Sequence, residues 1–522
     1  MKKASAWALL VLVAVAGPAR PEIGDERLNF VDWHLRNLWR PAGVAPADPS
    51  SDGEFLRRVT LDLAGRIPGL DELAAFEKDS PAGKRDRVID RLLASEEFNL
   101  FWGERLASVM LGYPGYQVGY FKDSLRIHLQ QKLREGRGYD RIVHEILTSS
   151  SAPAGYGVNQ GSASAFAYTY IYQVQNPNRI DDLLDRVSKV FLGVSLHCAQ
   201  CHDHPFDRWT QQDYKGMRAF LKDLGRGAAR RLPNPPAPAP SDDPIYLDGS
   251  QPEAGAPLMT RFADLTTRPE NPRFARNFVN RVWAMLFGRG IIHPVEELKE
   301  ESKPAVAGLL EILSAQFVRR GHDLRWLLRT LTSSKTYQLS SQAPAGRPSP
   351  DAPFAQAPVR AMTPEQLFGA ISAATDLRDA AAKAQFRPDP LRDAVRGVRG
   401  QGFDYIRSLF IADIVATGDY ETASRASEYT ANMMQFLRMA DIDHPVYAGS
   451  RAGTGGRLDK IAARASMPSD WVALIYRSVL SRDPTPEENR RCLQHVVTQP
   501  DLKGYGDVFW ALLNSSEFFF QH

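Results

Sequence analysis

The chain repeats short apolar runs at helical spacing, broken by glycine or proline, and shows little of the two-residue alternation that marks a strand. In "RLNFVDWHLRNLW", Leu28, Val31, Leu35 and Leu38 fall on one face. "FLRRVTLDLAGRIPG" ends a helix at Gly65 and turns at Pro68. "DELAAFEKD" and "KRDRVIDRLLASEEF" repeat the habit, with Asp71 and Ser95 as expected caps. "FWGERLASVMLGY" and "YFKDSLRIHLQQKLREG" continue a bundle of helices, the second stopping at Gly136. Residues 149–165 are small and polar and read as a loop. "IDDLLDRVSKVFLGVSLHCAQC" then predicts an amphipathic helix lined by Leu183, Val187, Val190 and Phe191, loosening at Gly193, and "TQQDYKGMRAFLKDL" predicts a second helix directly after it.

Repeated prolines in 226–262 forbid regular helix and place the main domain boundary there, with "IYLDGS" as the one convincing strand nearby. Helices resume with "NPRFARNFVNRVWAMLFGRG" and "AVAGLLEILSAQFVRRGHDLRWLLRTLTSSKTY". A second Pro/Ala linker runs from 342 to 362, after which Thr363 and Pro364 read as a cap and first-turn proline. "RAGTGG" at 451–456 is a loop before a last helical segment. No fixed period indicates a solenoid. The fold class expected is mainly α, with little β structure: a helical domain over 25–225 and another over 263–520, joined by Pro/Ala-rich linkers.

The N-terminus departs from this pattern. "MKKASAWALLVLVAVAGPARPE" has the positive start, apolar stretch and small-residue site of a secretory signal over 1–19. Its apolar stretch of about 13 residues falls short of the roughly 20 a membrane-spanning helix needs. An uncleaved anchor is the alternative. The expectation is an exported protein, periplasmic or at the cell envelope, with no stable transmembrane anchor. Hydrophobic residues make up 43% of the chain and charged ones 24%, an ordinary globular balance. A net charge of +3, without a basic arm, gives no reason to expect a nucleic-acid partner.

Export changes how the three cysteines are read. They are too few for a disulfide framework, and an oxidising compartment would oxidise a bare Cys-x-x-Cys pair unless something holds its sulfurs. Cys198-Ala199-Gln200-Cys201-His202 fits the signature of c-type haem (haem c) attachment: two thiols three residues apart reach two vinyl groups, and the histidine ligates the iron. A zinc or other metal held by Cys198, Cys201, His202 and His204 is an alternative, although ligands this close usually need a distant pair. A disulfide or redox dithiol, with no cofactor at all, is another. Candidate sixth ligands are Met217, His197, His204, Met110, Met259 and Met285, with none preferred. Asp203 and Asp207 could orient imidazoles. Trp209 and Tyr214 could shield a propionate or serve as packing. Cys492 reads as a small hydrophobe on a helix.

Elsewhere, Arg276, Asn277, Asn280, Arg281 and Trp283 share one helix, where they could contact a carboxylate or sugar or fix helix packing by buried hydrogen bonds. Arg57, Arg58 and Asp62 invite a structural reading, with Asp62 paired to Arg58 at i, i+4. Nucleotide-binding, hydrolase-elbow and zinc-protease motifs are absent from the sequence. Whether the chain is an enzyme is left open.

The chain resembles planctomycete-type exported proteins that join two domains of unknown function, numbered fifteen forty-nine and fifteen fifty-three, and that are often found beside cytochrome c domains. The N-terminal resemblance lies in "FLRRVTLDLAGRIPGLDELAAF", "RVIDRLLASEEFNLFWGERL" and "FLGVSLHCAQCHDHPFDRWTQQDYKGMRAFL". The C-terminal one lies in "NPRFARNFVNRVWAMLFGRGIIHPVEEL", "LRWLLRTLTSSKTYQLS", "MTPEQLFGAI", "IYRSVLSRDPTPEE" and "LLNSSEFFF". The family motif is matched at Cys198, Cys201, His202, Asp203, His204 and Pro205, inside the first domain rather than in a cytochrome domain. The family has no assigned activity. Its company implies redox chemistry, with a redox partner or cytochrome, or polysaccharide handling at the envelope, with polysaccharide-handling proteins as partners. Where the family tends to show Pro-Ser-His-Pro, this chain has Ser302-Lys303-Pro304-Ala305, so that histidine is missing.

Overall fold

The computed structural model describes residues 29–112, 116–149, 161–171, 179–222, 224, 243–253, 255, 257–299, 301–342, 353–383, 402–416, 444–465, 467–499 and 501–521. The expected signal segment, most of the 149–165 loop, about half of the 226–262 linker and residues 343–352 of the second linker lie outside the described residues. What is described is predominantly helical, as the periodicity predicts. Among the described residues a single two-stranded sheet pairs Arg360–Ala361 with Phe520–Gln521, antiparallel. "IYLDGS" is therefore not a strand: the Ser250 carbonyl accepts from the Tyr246 N–H at 2.8 Å across a turn.

Local chemistry accounts for the helix ends. Phe30–Trp39 buries Val31 and Leu35 as predicted, adding His34 and Trp39. Ser95 caps Glu96–Leu111 by accepting from the Phe98 N–H at 3.2 Å. Asp71 is not a cap. The Leu70–Lys78 helix has Gly69 as its cap, two residues earlier, and Glu72 reaches back to the Gly69 N–H at 2.9 Å. Thr363 forms a capping box with Gln366, with Pro364 in the first turn. Gly65 ends Asp52–Ala64 in the left-handed region, at φ 68°.

Two apolar cores form, and they do not meet at the 226–262 linker. The first runs from Val31 to Phe354 and takes in the helices Leu258–Thr267, Pro272–Phe287, Leu309–Arg319 and Leu324–Thr332. The second gathers Met362 to Phe519, together with Leu61 and Ile67. Packing thus changes hands near the second Pro/Ala linker. The Asp52–Ala64 helix serves both cores, with Phe55, Leu56, Val59 and Leu63 in one and Leu61 in the other. Its charges are buried too. Glu54 takes the Arg58 guanidinium at 2.6 Å. Asp62 is not the partner of Arg58: its carboxylate is held by Arg360 at 3.0 Å and by the Tyr337 hydroxyl at 2.7 Å. Arg57 donates to the carbonyls of Val479 and Phe518, and burial lowers its pKa to about 10.

Candidate functional site

The segment leading to the cysteines starts as the α-helix Arg179–Val187, widens into a π-helical turn at Ser188–Leu192 and stops at Gly193, φ 65°. Leu183, Val187, Val190 and Phe191 all pack inward, as their spacing predicts. A π turn displaces backbone groups from the α-helical register and leaves carbonyls to be satisfied from outside. The Pro272–Phe287 helix supplies that satisfaction. Asn277 Nδ2 donates to the Val190 carbonyl at 2.6 Å, and Arg281 Nη2 donates to the Lys189 carbonyl at 3.3 Å. The Leu298 N–H closes on the Gly193 carbonyl at 2.8 Å. Gly193 is needed twice over: its φ is left-handed, and a Cβ there would lie 2.9 Å from Asn277 Oδ1 and 3.0 Å from Leu298 Cγ. Of the polar helix residues singled out in the sequence, Asn277 therefore binds backbone, and Arg281 binds both backbone and the Glu296 carboxylate, at 2.6 Å. Asn280 bridges both backbone groups of Ile292, Arg276 pairs with Glu311 at 3.0 Å, and Trp283 is fully buried.

Beyond Gly193 the chain runs through buried Val194 and Leu196 to a 3₁₀ turn, Cys198–Gln200. Residues three apart share a face of such a turn. Cys198 and Cys201 accordingly both face outward as free, exposed thiols, while Ala199 between them is fully buried. The motif does lie between two helices, but on a short turn held away from the first of them. His202 is exposed, and its Nδ1 sits 2.8 Å from the Asp203 carbonyl. A carbonyl only accepts, so Nδ1 is the donor in this contact, and the neutral ring that makes it carries its lone pair on Nε2.

The rest of the loop is stitched to the following helix, Gln211–Ala219. Asp203 Oδ1 accepts from the Gln211 N–H at 2.9 Å, and the Gln211 side chain donates to the carbonyls of Gln200 and Cys201. Asp207 accepts from the Trp209 indole at 3.1 Å. Neither carboxylate touches an imidazole, so the expectation that they orient histidines is not met. His204 is spent within the loop, its Nδ1 accepting from the Phe206 N–H at 3.1 Å. Trp209 is buried against the guanidinium groups of Arg208 and Arg273, 4.6 and 4.9 Å from its ring. Tyr214 binds Asp181, which also takes Arg218, locking the two helices together behind the loop. Burial, and then the bond to Asp181, push the Tyr214 phenol well above its ordinary pKa. Asp181 carries no sequence signal for this role. Gln211 does, because it follows the Thr210 of a Thr-x-x-Asp capping box.

On this evidence the proximal half of a haem site fits the residues present: two accessible thiols at i, i+3 and an imidazole with Nε2 available. The distal half is less well supplied. Met110, Met217, Met259 and Met285 are all core side chains, 0–6% exposed. Of the candidate sixth ligands only His197 and His204 lie on the loop. Among the described residues no group of three or more His, Cys, Asp or Glu is gathered to hold a metal ion. Cys492 is half-buried against the second core, 3.8 Å from the Tyr476 hydroxyl.

Two family models match the chain. PSCyt2, a protein of unknown function (DUF1549), covers residues 30–226 and so contains the cysteine loop. PSD1, also a protein of unknown function (DUF1553), covers residues 260–496 and contains Asn277, Arg281 and Leu298, which grip its stem. No curated protein and no solved structure matches the chain.

Proposed function

The chain belongs to the family that joins these two domains of unknown function, and from that premise we propose that it is an exported, redox-linked protein carrying a c-type haem at Cys198, Cys201 and His202. The observation that carries the reading is the 3₁₀ turn: it sets two free thiols on one exposed face beside an imidazole whose Nδ1 is tied back. Cys198 and Cys201 would hold the group by thioether bonds, and His202 would ligate it through Nε2. When bound, the haem supplies reversible one-electron transfer. The protein's own part is to hold the turn. Ala199 anchors it in the core, Gln211 ties its last carbonyls, and the second domain fixes its stem through Asn277 and Arg281.

Cytochrome c domains keep company with this family, which supports a redox partner such as a cytochrome. Exposure of Phe206, 75% accessible at the loop tip, also suits contact with a partner. The zinc alternative needs Cys198, Cys201, His202 and His204 to converge, whereas His204 Nδ1 is engaged by the Phe206 N–H. A second reading, an envelope binding or scaffold protein linked to polysaccharide handling with a structural Cys/His elbow, is favoured by one fact: Asp203, Asp207 and Gln211 are engaged in hydrogen bonds that hold the loop's own shape. Among the described residues no helix is long and apolar enough to cross a membrane.

The test is expression of the full chain in a host with haem-maturation machinery, followed by a pyridine haemochrome spectrum. Covalent haem with a Soret band is expected, and the double variant Cys198→Ala, Cys201→Ala should lose it. A folded wild type without covalent haem refutes the proposal, and metal analysis of that sample then judges zinc.

A further inference from the structure

A cleft of about 900 Å³ opens where the first core meets the second, far in sequence from the cysteine loop. One wall comes from Glu96–Leu111 and Tyr116–Arg134, the other from Pro364–Thr375, Leu377–Lys383 and Gly402–Ala416. Glu104, Glu365 and Arg407 line it, and their charges are largely shielded from water, with Lys122 and Ser108 packed behind the lining. The Glu104 carboxylate, 13% exposed, is paired with Arg407, 24% exposed. Glu365, only 4% exposed, accepts from the Ser108 hydroxyl at 3.1 Å and lies 3.8 Å from Lys122 Nζ. Burial holds the Lys122 ammonium below its ordinary pKa, against the pull of Glu365 and then Glu104. Phe101, Phe368 and Phe403 supply apolar wall, and the Arg378 guanidinium covers the Phe403 ring at 4.4 Å.

Desolvated ion pairs contribute little to stability compared with apolar packing of the same volume, so their place at the back of an open cleft asks for another explanation. The pairs bring together carboxylates and cations that can exchange partners with an entering molecule. A ligand with a single charge would strand the opposite protein charge in a dry site. A ligand without charge would gain nothing from the ions. A ligand bearing both an ammonium and a carboxylate leaves Glu104, Glu365, Lys122 and Arg407 all compensated.

We propose that this cleft binds a zwitterionic peptide-like ligand, its ammonium received by Glu365 and Glu104, its carboxylate by Arg407, and an apolar side chain by the phenylalanine walls. The volume leaves room for more than a single amino acid. Because the ligand touches both cores, its binding stabilises the junction between them. The proposal does not depend on haem, and either reading can fail alone.

Equilibrium dialysis of the full chain against an equimolar mixture of free dipeptides, and against the same mixture N-acetylated or C-amidated, tests it. Free dipeptides should be retained at least about ten-fold more tightly than either blocked set, with a rise in melting temperature. Glu365→Gln and Arg407→Gln should each weaken retention by about ten-fold. If Arg407→Gln fails to fold, Ser372→Trp, at the partly exposed rim, should block binding by filling the cleft. Equal retention of free and blocked sets overturns the proposal, as does no retention of the free set, or retention unchanged in Glu365→Gln and Ser372→Trp.

Discussion

At the scale of single residues, the cysteine loop depends on side chains that never reach its surface. Asn277 spends its amide on the Val190 carbonyl, and removing that donor leaves a buried acceptor unmatched. Asn277→Ala is therefore expected to cost about 1–3 kcal/mol in urea unfolding. Its sharper signature is local. Amide exchange at Gly193, Val194 and Leu298 should quicken ahead of global unfolding, because these N–H groups close the π turn and its stem. Unchanged exchange there would mean that the second domain does not hold the stem. The thiols themselves were readable, since Cys-x-x-Cys-His prescribes its own spacing. The gripping residues were readable only as polar groups on a buried helix, because Asn277 and Val190 lie 87 positions apart and meet through packing.

At the scale of elements, helix periodicity and end signals predicted well wherever the controlling contact was local. Ser95, Thr363 and the glycines at 65 and 136 sit where their own backbone geometry demands. The failures are of a different kind. Arg58 and Asp62 stand at helical spacing, yet Asp62 is taken by Arg360 and Tyr337, almost three hundred residues on. "IYLDGS" has strand-forming residues but, among the described residues, no strand pairs with it, and it closes as a turn. The Asp52–Ala64 helix carries the consequence. Its buried charges have partners from both cores, so deleting one strands several others. Asp62→Ala leaves the Arg360 guanidinium and Tyr337 hydroxyl without their shared acceptor, at an expected cost of about 3–5 kcal/mol. Thermal unfolding checks this, and a loss under about 1 kcal/mol would show that water replaces the carboxylate.

For the whole molecule, the two family domains and the two apolar cores divide the chain at different places. The match to the first domain ends at residue 226, yet the first core continues to Phe354. The join is tight. Tyr139 stacks on Phe278 with ring centroids 3.6 Å apart, and its N–H donates to the His322 carbonyl at 3.0 Å. Arg325 reaches back to the carbonyls of Leu93 and Leu133 and to Asn99. Asp32 receives the N–H groups of Lys335 and Thr336. A fragment limited to 29–226 would expose Tyr139, Val190 and Phe191 to water and leave the carbonyls of Lys189 and Val190 without their outside donors. Ordering such a chain offsets too little entropy to be favourable. Expressed alone, it should fail to unfold cooperatively and should bind a hydrophobic dye, whereas a fragment of 29–357 should retain a cooperative transition. The 29–357 fragment still gives up the contacts of Arg57 and Asp62 with the second core, so it should melt below the full chain. If 29–226 instead melts cooperatively, the cysteine loop is built by the first domain alone, and the hold exerted by Asn277 and Arg281 is an adjustment rather than a requirement.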